Sequence, residues 1–170
     1  MSASEQGEAH AATLIVMDID GVLADVRHRL HFLAARPKLW DEFFEACVDD
    51  APLEQGLAIA DAADHLVYFS GRPERYRAAT LAWLEQHGFP RAPLHLRPDA
   101  DRRPARDYKP DVLAKLGGPS AVRCVYDDDD RVIQRLETLG YSVVHVRWMP
   151  ATDTLNQLAL FDAQEREGRT

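Results

Sequence analysis

Short apolar runs alternate with helical patterns along most of the chain. The apolar runs are rich in β-branched residues and predict buried strands at 13–17, 65–69, 94–96, 122–126 and 142–146. Helical patterns lie between most of these runs, at 57–63, 74–87, 110–116 and 131–139. Strands and helices that alternate in this way are typical of a parallel sheet covered by helices on both faces, so the pattern predicts an α/β fold.

The stretch between the first two predicted strands is too long to be a simple loop. Two further helical patterns occupy it, at 26–35 and 38–48, and Pro37 separates them. We expect a small helical insertion at about 25–50, above the carboxyl end of the first strand. Two interpretations stay open: the insertion acts as a lid over that end, or its helices simply pack on the core.

The length of 170 residues predicts one domain with a single apolar core. We assign this core to 13–150, a disordered tail to 1–12, and a C-terminal helix or tail to 151–170. The last segment would pack on the same core or on a second copy, and the oligomeric state is unknown. The opening stretch lacks the apolar segment of a secretory signal, and no run is long enough to span a bilayer, which predicts a cytoplasmic protein without a membrane partner.

The formal net charge of -8 disfavours binding to a long polyanion unless basic residues gather on one face. An excess of acidic residues also suits a site that holds a divalent cation. Cys47 and Cys124 have no CxxC or CxxH spacing, so we expect two reduced structural thiols rather than a zinc or redox site.

Polar and charged residues follow the predicted strands at their carboxyl ends, where parallel sheets bind ligands. They are Asp18 and Asp20 after the first strand, Ser70, Gly71 and Arg72 after the second, Asp127 and Asp128 after the fourth, and Lys109 at the start of the helix before the fourth strand. Oxygen ligands without histidine or cysteine favour Mg²⁺ over zinc. A carboxylate can attack an anionic phosphoryl group when a metal ion, lysine and arginine neutralise the negative charge.

The order DxDG, SGR, lysine and DD, each at the end of a strand or the start of a helix, resembles the four motifs of the haloacid dehalogenase (HAD) superfamily. This resemblance implies a Rossmann-like fold with a small helical cap. It implies that Asp18 is the nucleophile and that Asp20 is the general acid and then the general base, with its backbone carbonyl on the metal. The remaining implied roles are phosphoryl binding by Ser70, Gly71 and Lys109, and Mg²⁺ binding by Asp128, the direct ligand, with Asp127. Asp129 and Asp130 are expected to be solvated acids at a helix start.

A narrower resemblance covers about Leu14 to Val146. DIDGVLADVRHRLHFL and SGRPERYRAATLAWLEQHG are similar to the phosphatase domain of phage-type polynucleotide kinase-phosphatases and small bacterial relatives. In that group an arginine eleven residues after the nucleophile and the arginine of SGR assist the phosphate, which implies these roles for Arg29 and Arg72. The alternative for Arg29 is an exposed position on a helix.

The sequence departs from that group in several places. Val22 replaces the commoner threonine of DxDGT, and Ala105 stands four residues before the lysine, where the phage-type enzymes often have an aspartate. No GxxxxGK[ST] phosphate-binding loop is present in the sequence. Any kinase or ligase partner is therefore expected to be a separate chain.

These features predict a Mg²⁺-dependent phosphomonoesterase that forms an aspartyl-phosphate, with a nucleotide or a nucleic-acid 3'-phosphate end as substrate. The alternative is a general small-molecule acid phosphatase or a 5'-nucleotidase with the same chemistry. A non-catalytic metal-binding module would be expected to lack Asp18 or Asp20, and HAD dehalogenases generally lack the second aspartate.

Other residues have both a functional and a structural interpretation. His28 and His31 could share a metal or simply lie on the surface. Trp83 and Tyr76 could stack on a base or belong to the core. The Arg102, Arg103 and Arg106 cluster, in a stretch expected to be a loop at 97–109, could bind a second phosphate or be a flexible basic loop.

Overall fold

The computed structural model describes residues 13–149. Its strands are β1 (Leu14–Asp18), β2 (Ala24–Asp25), β3 (Ala51–Pro52), β4 (Leu66–Pro73), β5 (Leu94–Arg97), β6 (Val122–Asp127) and β7 (Val143–His145). Its α-helices are α1 (His31–Ala34), α2 (Trp40–Glu45), α3 (Glu54–Asp61), α4 (Arg77–Gln86), α5 (Ala105–Lys115) and α6 (Asp130–Thr138). The predicted tail at 1–12 and the predicted C-terminal segment at 151–170 lie outside the described residues.

Five parallel strands form the main sheet in the order β5-β4-β1-β6-β7, so β1 is central. Successive side chains of a strand point to opposite faces. Val16 of β1 accordingly joins an apolar cluster with residues of α5 and α6, whereas Met17 joins a cluster with residues of α3 and α4. The prediction of an α/β fold, with a parallel sheet covered by helices on both faces, is confirmed.

A small helical insertion connects β1 to α3, as the apolar pattern predicted. It consists of α1, α2 and two short turns of 3-10 helix, Arg27–Arg29 and Ala46–Asp49. Its own apolar cluster includes Leu33, Trp40 and Phe44, and the rings of Trp40 and Phe44 stack with their centroids 5.9 Å apart. The antiparallel pair β2–β3 closes the base of the insertion. Strands of two residues are too short to show a recognisable apolar pattern in the sequence, so this pair was not predicted.

One helix boundary differs from the prediction. We expected a loop at 97–109 with Lys109 opening the helix, but α5 begins at Ala105 and Lys109 lies in its second turn. The carbonyl of Pro104 accepts hydrogen bonds from the N–H groups of Asp107 and Tyr108 and so starts the helix. Pro110 is inside the helix, although a proline is more usual at the first helical position.

None of the described helices combines the length and the apolar character that crossing a membrane requires.

Candidate active site

Three carboxylates and one ammonium group meet at the carboxyl edge of the sheet. Asp18 ends β1 and Asp127 ends the neighbouring strand β6, with Asp128 directly after it. One oxygen of each carboxylate lies within 4.8 Å of the other two. Lys109 of α5 donates to Asp18 Oδ2 at 2.8 Å and to Asp127 Oδ2 at 2.6 Å. We call Asp18, Asp127, Asp128 and Lys109 the acidic cluster.

Local backbone contacts hold these carboxylates in place. The N–H of Ile19 donates to Asp18 Oδ1 at 2.8 Å, and the N–H of Asp129 donates to Asp127 Oδ1 at 3.0 Å. Gly21 lies directly against Asp128: a Cβ atom at Gly21 would be 2.0 Å from Asp128 Oδ2, and its φ is +80°. Glycine tolerates both the close approach and the positive φ, which explains the glycine of the DxDG motif.

Burial dominates the electrostatics of the acidic cluster. It raises the pKa of Asp18 to about 7, even though Lys109 acts in the opposite direction. Burial, with the charges of Asp127 and Asp18, also raises the pKa of Asp128 well above its usual range. The desolvation of Lys109 is outweighed by Asp127 and Asp18, which raise the pKa of its ammonium group and keep it charged.

The charges of the acidic cluster do not balance. When all four groups are ionised, three carboxylates and one ammonium leave an excess of two negative charges in a buried place. Buried charge of this size is costly unless a counter-ion holds it. One divalent cation would supply the missing charge.

A second group of charges lies beside the acidic cluster and is balanced. Arg29 Nη2 and Arg72 Nη2 both donate to Asp20 Oδ1, at 2.7 and 2.5 Å. Asp50 accepts from the same guanidinium groups, from Arg29 Nε and Nη2 at 2.7 Å and from Arg72 Nη2 at 2.9 Å. Two arginines and two aspartates thus form a buried network with no net charge, which we call the arginine network.

The arginine network sets the ionisation of Asp20. Burial by itself would raise the pKa of Asp20, but the charges of Arg29 and Arg72 and their hydrogen bonds lower it below its ordinary value. The side chain of Asp20 is therefore a carboxylate held by guanidinium groups, and it is not among the carboxylates that approach one another in the acidic cluster.

Sequence reasoning missed Asp50. It lies between the insertion and β3, is 1% exposed, and also contacts the imidazole of His28, whose Nε2 is 2.8 Å from Asp50 Oδ1. Its backbone carbonyl accepts a hydrogen bond from Trp83 Nε1 at 2.8 Å. Asp50 stands in no recognisable motif, and the only sequence signal is an acid at the end of the insertion. Its partner Arg29 is fully buried, so the alternative of an exposed helix residue is wrong.

The SGR residues lie where the sequence placed them, at the end of the strand next to β1. Asp18 is paired with Phe69 across the two strands, and Ser70 and Gly71 follow directly. Ser70 is 1% exposed, and its hydroxyl oxygen accepts from the N–H of Arg72 at 3.2 Å. Ser70 and Gly71 are thus beside the acidic cluster, and Arg72 carries its guanidinium group into the arginine network.

The two acids after Asp128 differ in burial. Asp129 caps α6 by accepting hydrogen bonds from the N–H groups of Arg131 and Val132, and it is buried. The expectation that Asp129 is solvated is wrong, because the cap turns its side chain back onto the helix start. Asp130 is exposed, as expected.

The ambiguous histidines and aromatic residues have structural contacts in the part of the chain from 13 to 149. His28 contacts Asp50, His31 contacts the carbonyl of His28, and neither is among the residues that could share a metal. Trp83 is 1% exposed and belongs to the core, whereas Tyr76 packs against the rim of the insertion at Phe44. Cys47 and Cys124 are free thiols, as expected.

Comparison with known proteins agrees with this geometry. The profile of the HAD-type phosphatase domain of polynucleotide kinase PNKP matches residues 12–148. A chain in the structure of the Pnkp1/Rnl/Hen1 RNA repair complex is 18% identical with a TM-score of 0.66, over 80% of this chain and 42% of that chain. A second structure of the Pnkp1/Rnl/Hen1 complex has 18% identity and a TM-score of 0.66, over 83% of this chain and 48% of that chain. No curated protein matches the sequence.

A haloacid dehalogenase-like hydrolase from Streptococcus pneumoniae has the same fold, with 11% identity and a TM-score of 0.59 over 91% of this chain and 92% of that chain. This chain spans less than half of the two repair-complex chains, and identities this low show the fold alone. The family match, in contrast, covers most of the sequence, including every motif described above. The protein is therefore a HAD-type phosphatase and belongs to the family of polynucleotide kinase PNKP phosphatase domains.

Proposed function

We propose that this protein is a Mg²⁺-dependent phosphomonoesterase that removes the 3'-phosphate from a nucleotide or a nucleic-acid end through a phosphorylated Asp18. The observation that carries the proposal is the buried acidic cluster, which has an excess of two negative charges when its four groups are ionised, beside the neutral arginine network. The first can bind a divalent cation and the second can supply a proton-transfer group, and phosphoryl transfer needs both.

The residues present fit a magnesium ion. Asp18, Asp127 and Asp128 offer hard carboxylate oxygens, and no histidine or cysteine is part of the cluster. We propose that these three side chains and the backbone carbonyl of Asp20 hold the ion, with Asp128 as a direct ligand. When bound, Mg²⁺ would neutralise the negative charge of the phosphoryl group that Asp18 attacks.

Asp18 is the nucleophile in this proposal. An oxygen of its carboxylate attacks the phosphorus, and the bond from phosphorus to the leaving oxygen breaks. Lys109 already donates to Asp18 Oδ2 at 2.8 Å, so its ammonium group is close enough to contact a phosphoryl oxygen during transfer. The N–H groups and the hydroxyl at Ser70 and Gly71, beside the end of β1, are the further proposed contacts for phosphoryl oxygens.

Asp20 is the proposed proton donor and acceptor. It gives a proton to the leaving oxygen and then takes one from the water that hydrolyses the aspartyl-phosphate, which regenerates Asp18 and releases phosphate. In the structure both guanidinium groups contact Asp20 and lower its pKa, which favours the base form. We propose that an arriving phosphate competes for Arg29 and Arg72, and that the weakened contacts raise the pKa of Asp20 and let it carry the proton.

The choice of a 3'-phosphate substrate rests on family membership rather than on site geometry. The related chains belong to an RNA repair complex, which supports a nucleic-acid end as substrate and a protein partner for this chain. The net charge of -8 instead favours a small substrate, so a general acid phosphatase or 5'-nucleotidase is the second candidate. The free cysteines support the proposed cytoplasmic location.

Rates on matched substrates test this function. We expect the purified protein with Mg²⁺ to hydrolyse a 3'-phosphorylated oligonucleotide and a 3'-mononucleotide faster than a 5'-mononucleotide or a sugar phosphate. Asp18→Asn should lower kcat by about a thousandfold or more, whereas the exposed Asp49→Asn should not. Preference for the sugar phosphate would contradict the substrate assignment, and near wild-type turnover by Asp18→Asn would contradict the nucleophile.

A further inference from the structure

A polar cavity of about 230 Å³ opens between the insertion and the main sheet. The α2 residues Trp40, Asp41 and Phe44 line one side. Four residues after β5 line the other: Pro98, Asp99, Asp101 and Arg102. This volume is below the roughly 300–1,000 Å³ typical of a site for a drug-sized ligand, so the cavity suits one ring system with its attached groups. The reaction proposed above does not use it.

The cavity is close enough to the acidic cluster to share a substrate with it. Asp18 is paired with Phe69 of β4, and Pro73 at the end of β4 is paired with Arg97 of β5; Pro73 and Arg97 both line the cavity. Neighbouring strands are about 4.8 Å apart and each residue advances about 3.3 Å along a strand, so Pro73 and Arg97 lie on the order of 12–14 Å from Asp18. A nucleoside 3'-monophosphate, with its phosphate at Asp18 and its base in the cavity, covers a separation of this size.

The charges that line the cavity are balanced. Three arginines and three aspartates contribute to the lining. Arg75 contacts both sides, with Nη2 at 2.8 Å from Asp41 Oδ1 and Nη1 at 3.3 Å from Asp99 Oδ1. A second phosphate would meet three carboxylates here. Of the arginine cluster that the sequence associated with a second phosphate, Arg103 is already paired with Asp101 and Asp111.

A neutral group with both donors and acceptors fits this lining better. A nucleobase has amino groups that can donate hydrogen bonds to carboxylates. It also has ring nitrogens or carbonyl oxygens that can accept hydrogen bonds from guanidinium groups. Trp40 and Phe44 also line the cavity, but they are only 4% and 1% exposed, so the contacts to a base come from the charged side chains. The ion pairs of Arg75 are exposed, so exchanging them for contacts to a base costs little.

We propose that this cavity binds the nucleobase of the terminal nucleotide while its 3'-phosphate reaches Asp18. The inference rests on the proposed function and assigns it a specificity site. Asp41 and Asp99, from the two sides of the cavity, accept hydrogen bonds from the base, and Arg75 between them donates to it. The insertion is then part of substrate recognition in addition to packing on the core.

A pair of substrates that differ only in the base tests the proposal. The wild-type protein with Mg²⁺ is expected to have a kcat/KM at least about tenfold higher for adenosine 3'-monophosphate than for the same pentose 3-phosphate without a base. Asp41→Ala and Asp99→Ala should each reduce this ratio by several-fold. Glu85→Ala is the matched control, because Glu85 is an exposed acid paired with an arginine outside the cavity, and it should keep the ratio.

Calorimetric titration with adenosine separates failure of this site from failure of the proposed function. Adenosine should bind the wild type and the control, and should bind Asp99→Ala about tenfold more weakly. If neither adenosine 3'-monophosphate nor the pentose 3-phosphate is hydrolysed, but adenosine binds the wild type and the control more tightly than Asp99→Ala, the proposed phosphatase substrate is wrong and the cavity assignment stands. Equal kcat/KM for the two substrates, or adenosine binding that Asp41→Ala and Asp99→Ala leave intact, would overturn the assignment.

Discussion

Replacing Asp50 with asparagine removes one charge from the arginine network and leaves the shape of the side chain almost unchanged. Asp50 is 1% exposed and its carboxylate accepts three hydrogen bonds from Arg29 and Arg72. In Asp50→Asn, Asp20 is the one carboxylate of the network left to balance the two guanidinium groups. The network then holds an uncompensated positive charge away from water.

The expected loss of stability follows from that imbalance. Removing one partner from a buried ion pair typically costs about 3–5 kcal/mol. The amide oxygen of asparagine can still accept one hydrogen bond, so we expect the lower end, about 3 kcal/mol. Domains of this size are typically stable by about 5–15 kcal/mol, so Asp50→Asn should still fold.

Urea unfolding measures this difference. With an m-value of about 2 kcal/mol/M, a loss of about 3 kcal/mol lowers the urea midpoint by about 1.5 M with little change in slope. Asp49→Asn is the control, because Asp49 is the exposed neighbour in sequence and surface substitutions usually change stability by less than about 0.5 kcal/mol. A midpoint for Asp50→Asn within error of the control would refute the argument that this carboxylate balances the buried arginines.

Further predictions concern the metal, the pH dependence and the DxDG glycine. In thermal unfolding, Mg²⁺ at about one hundred times its Kd should stabilise the folded protein by about 2.7 kcal/mol compared with the protein in EDTA. Asp128→Asn should remove most of that gain. The same melting temperature in Mg²⁺ and in EDTA would count against the site. In EDTA, burial raises the pKa of folded Asp18 to about 7 from 3.8, so the folded protein keeps a proton that the unfolded chain releases. Its stability should therefore fall as the pH rises from about 4 to 7, and Asp18→Asn should weaken this dependence in urea titrations. Gly21→Ala should lower stability and activity several-fold more than Gly88→Ala does. Both glycines have a positive φ, but only a Cβ at position 21 would lie against Asp128. Equal losses in the two variants would show that the contact with Asp128 is unimportant.

The apolar pattern predicted the architecture because strands buried on both faces and helices of several turns leave strong periods in a sequence. Each of the five strands of the main sheet overlaps a predicted run, and each longer helix overlaps a predicted helix. Where the pattern is weak, the prediction was incomplete. The pair β2–β3 has only two residues in each strand. Helix α5 was predicted to begin at Pro110, but it begins at Ala105, directly after Pro104.

The residues of the acidic cluster were also predictable, because sequence position determines which side chains stand at the carboxyl ends of parallel strands. Asp18, Asp127 and Asp128 each lie at or directly after such an end, and Lys109 lies on the helix that packs beside them. Their roles in catalysis and metal binding come from family resemblance and stay predictions that the variants above test.

The sequence alone determined the order of the five main strands and the longer helices, the acidic and basic residues at the sheet edge, and the family. Only the tertiary structure decided which charges neutralise one another. Asp50, which lies between the insertion and β3, contacts Arg72, from β4, although 22 residues separate them, and Arg72 and Arg29 hold Asp20 as a carboxylate. No local pattern records such a contact, because the energy of a buried charge depends on the neighbours that the fold brings to it.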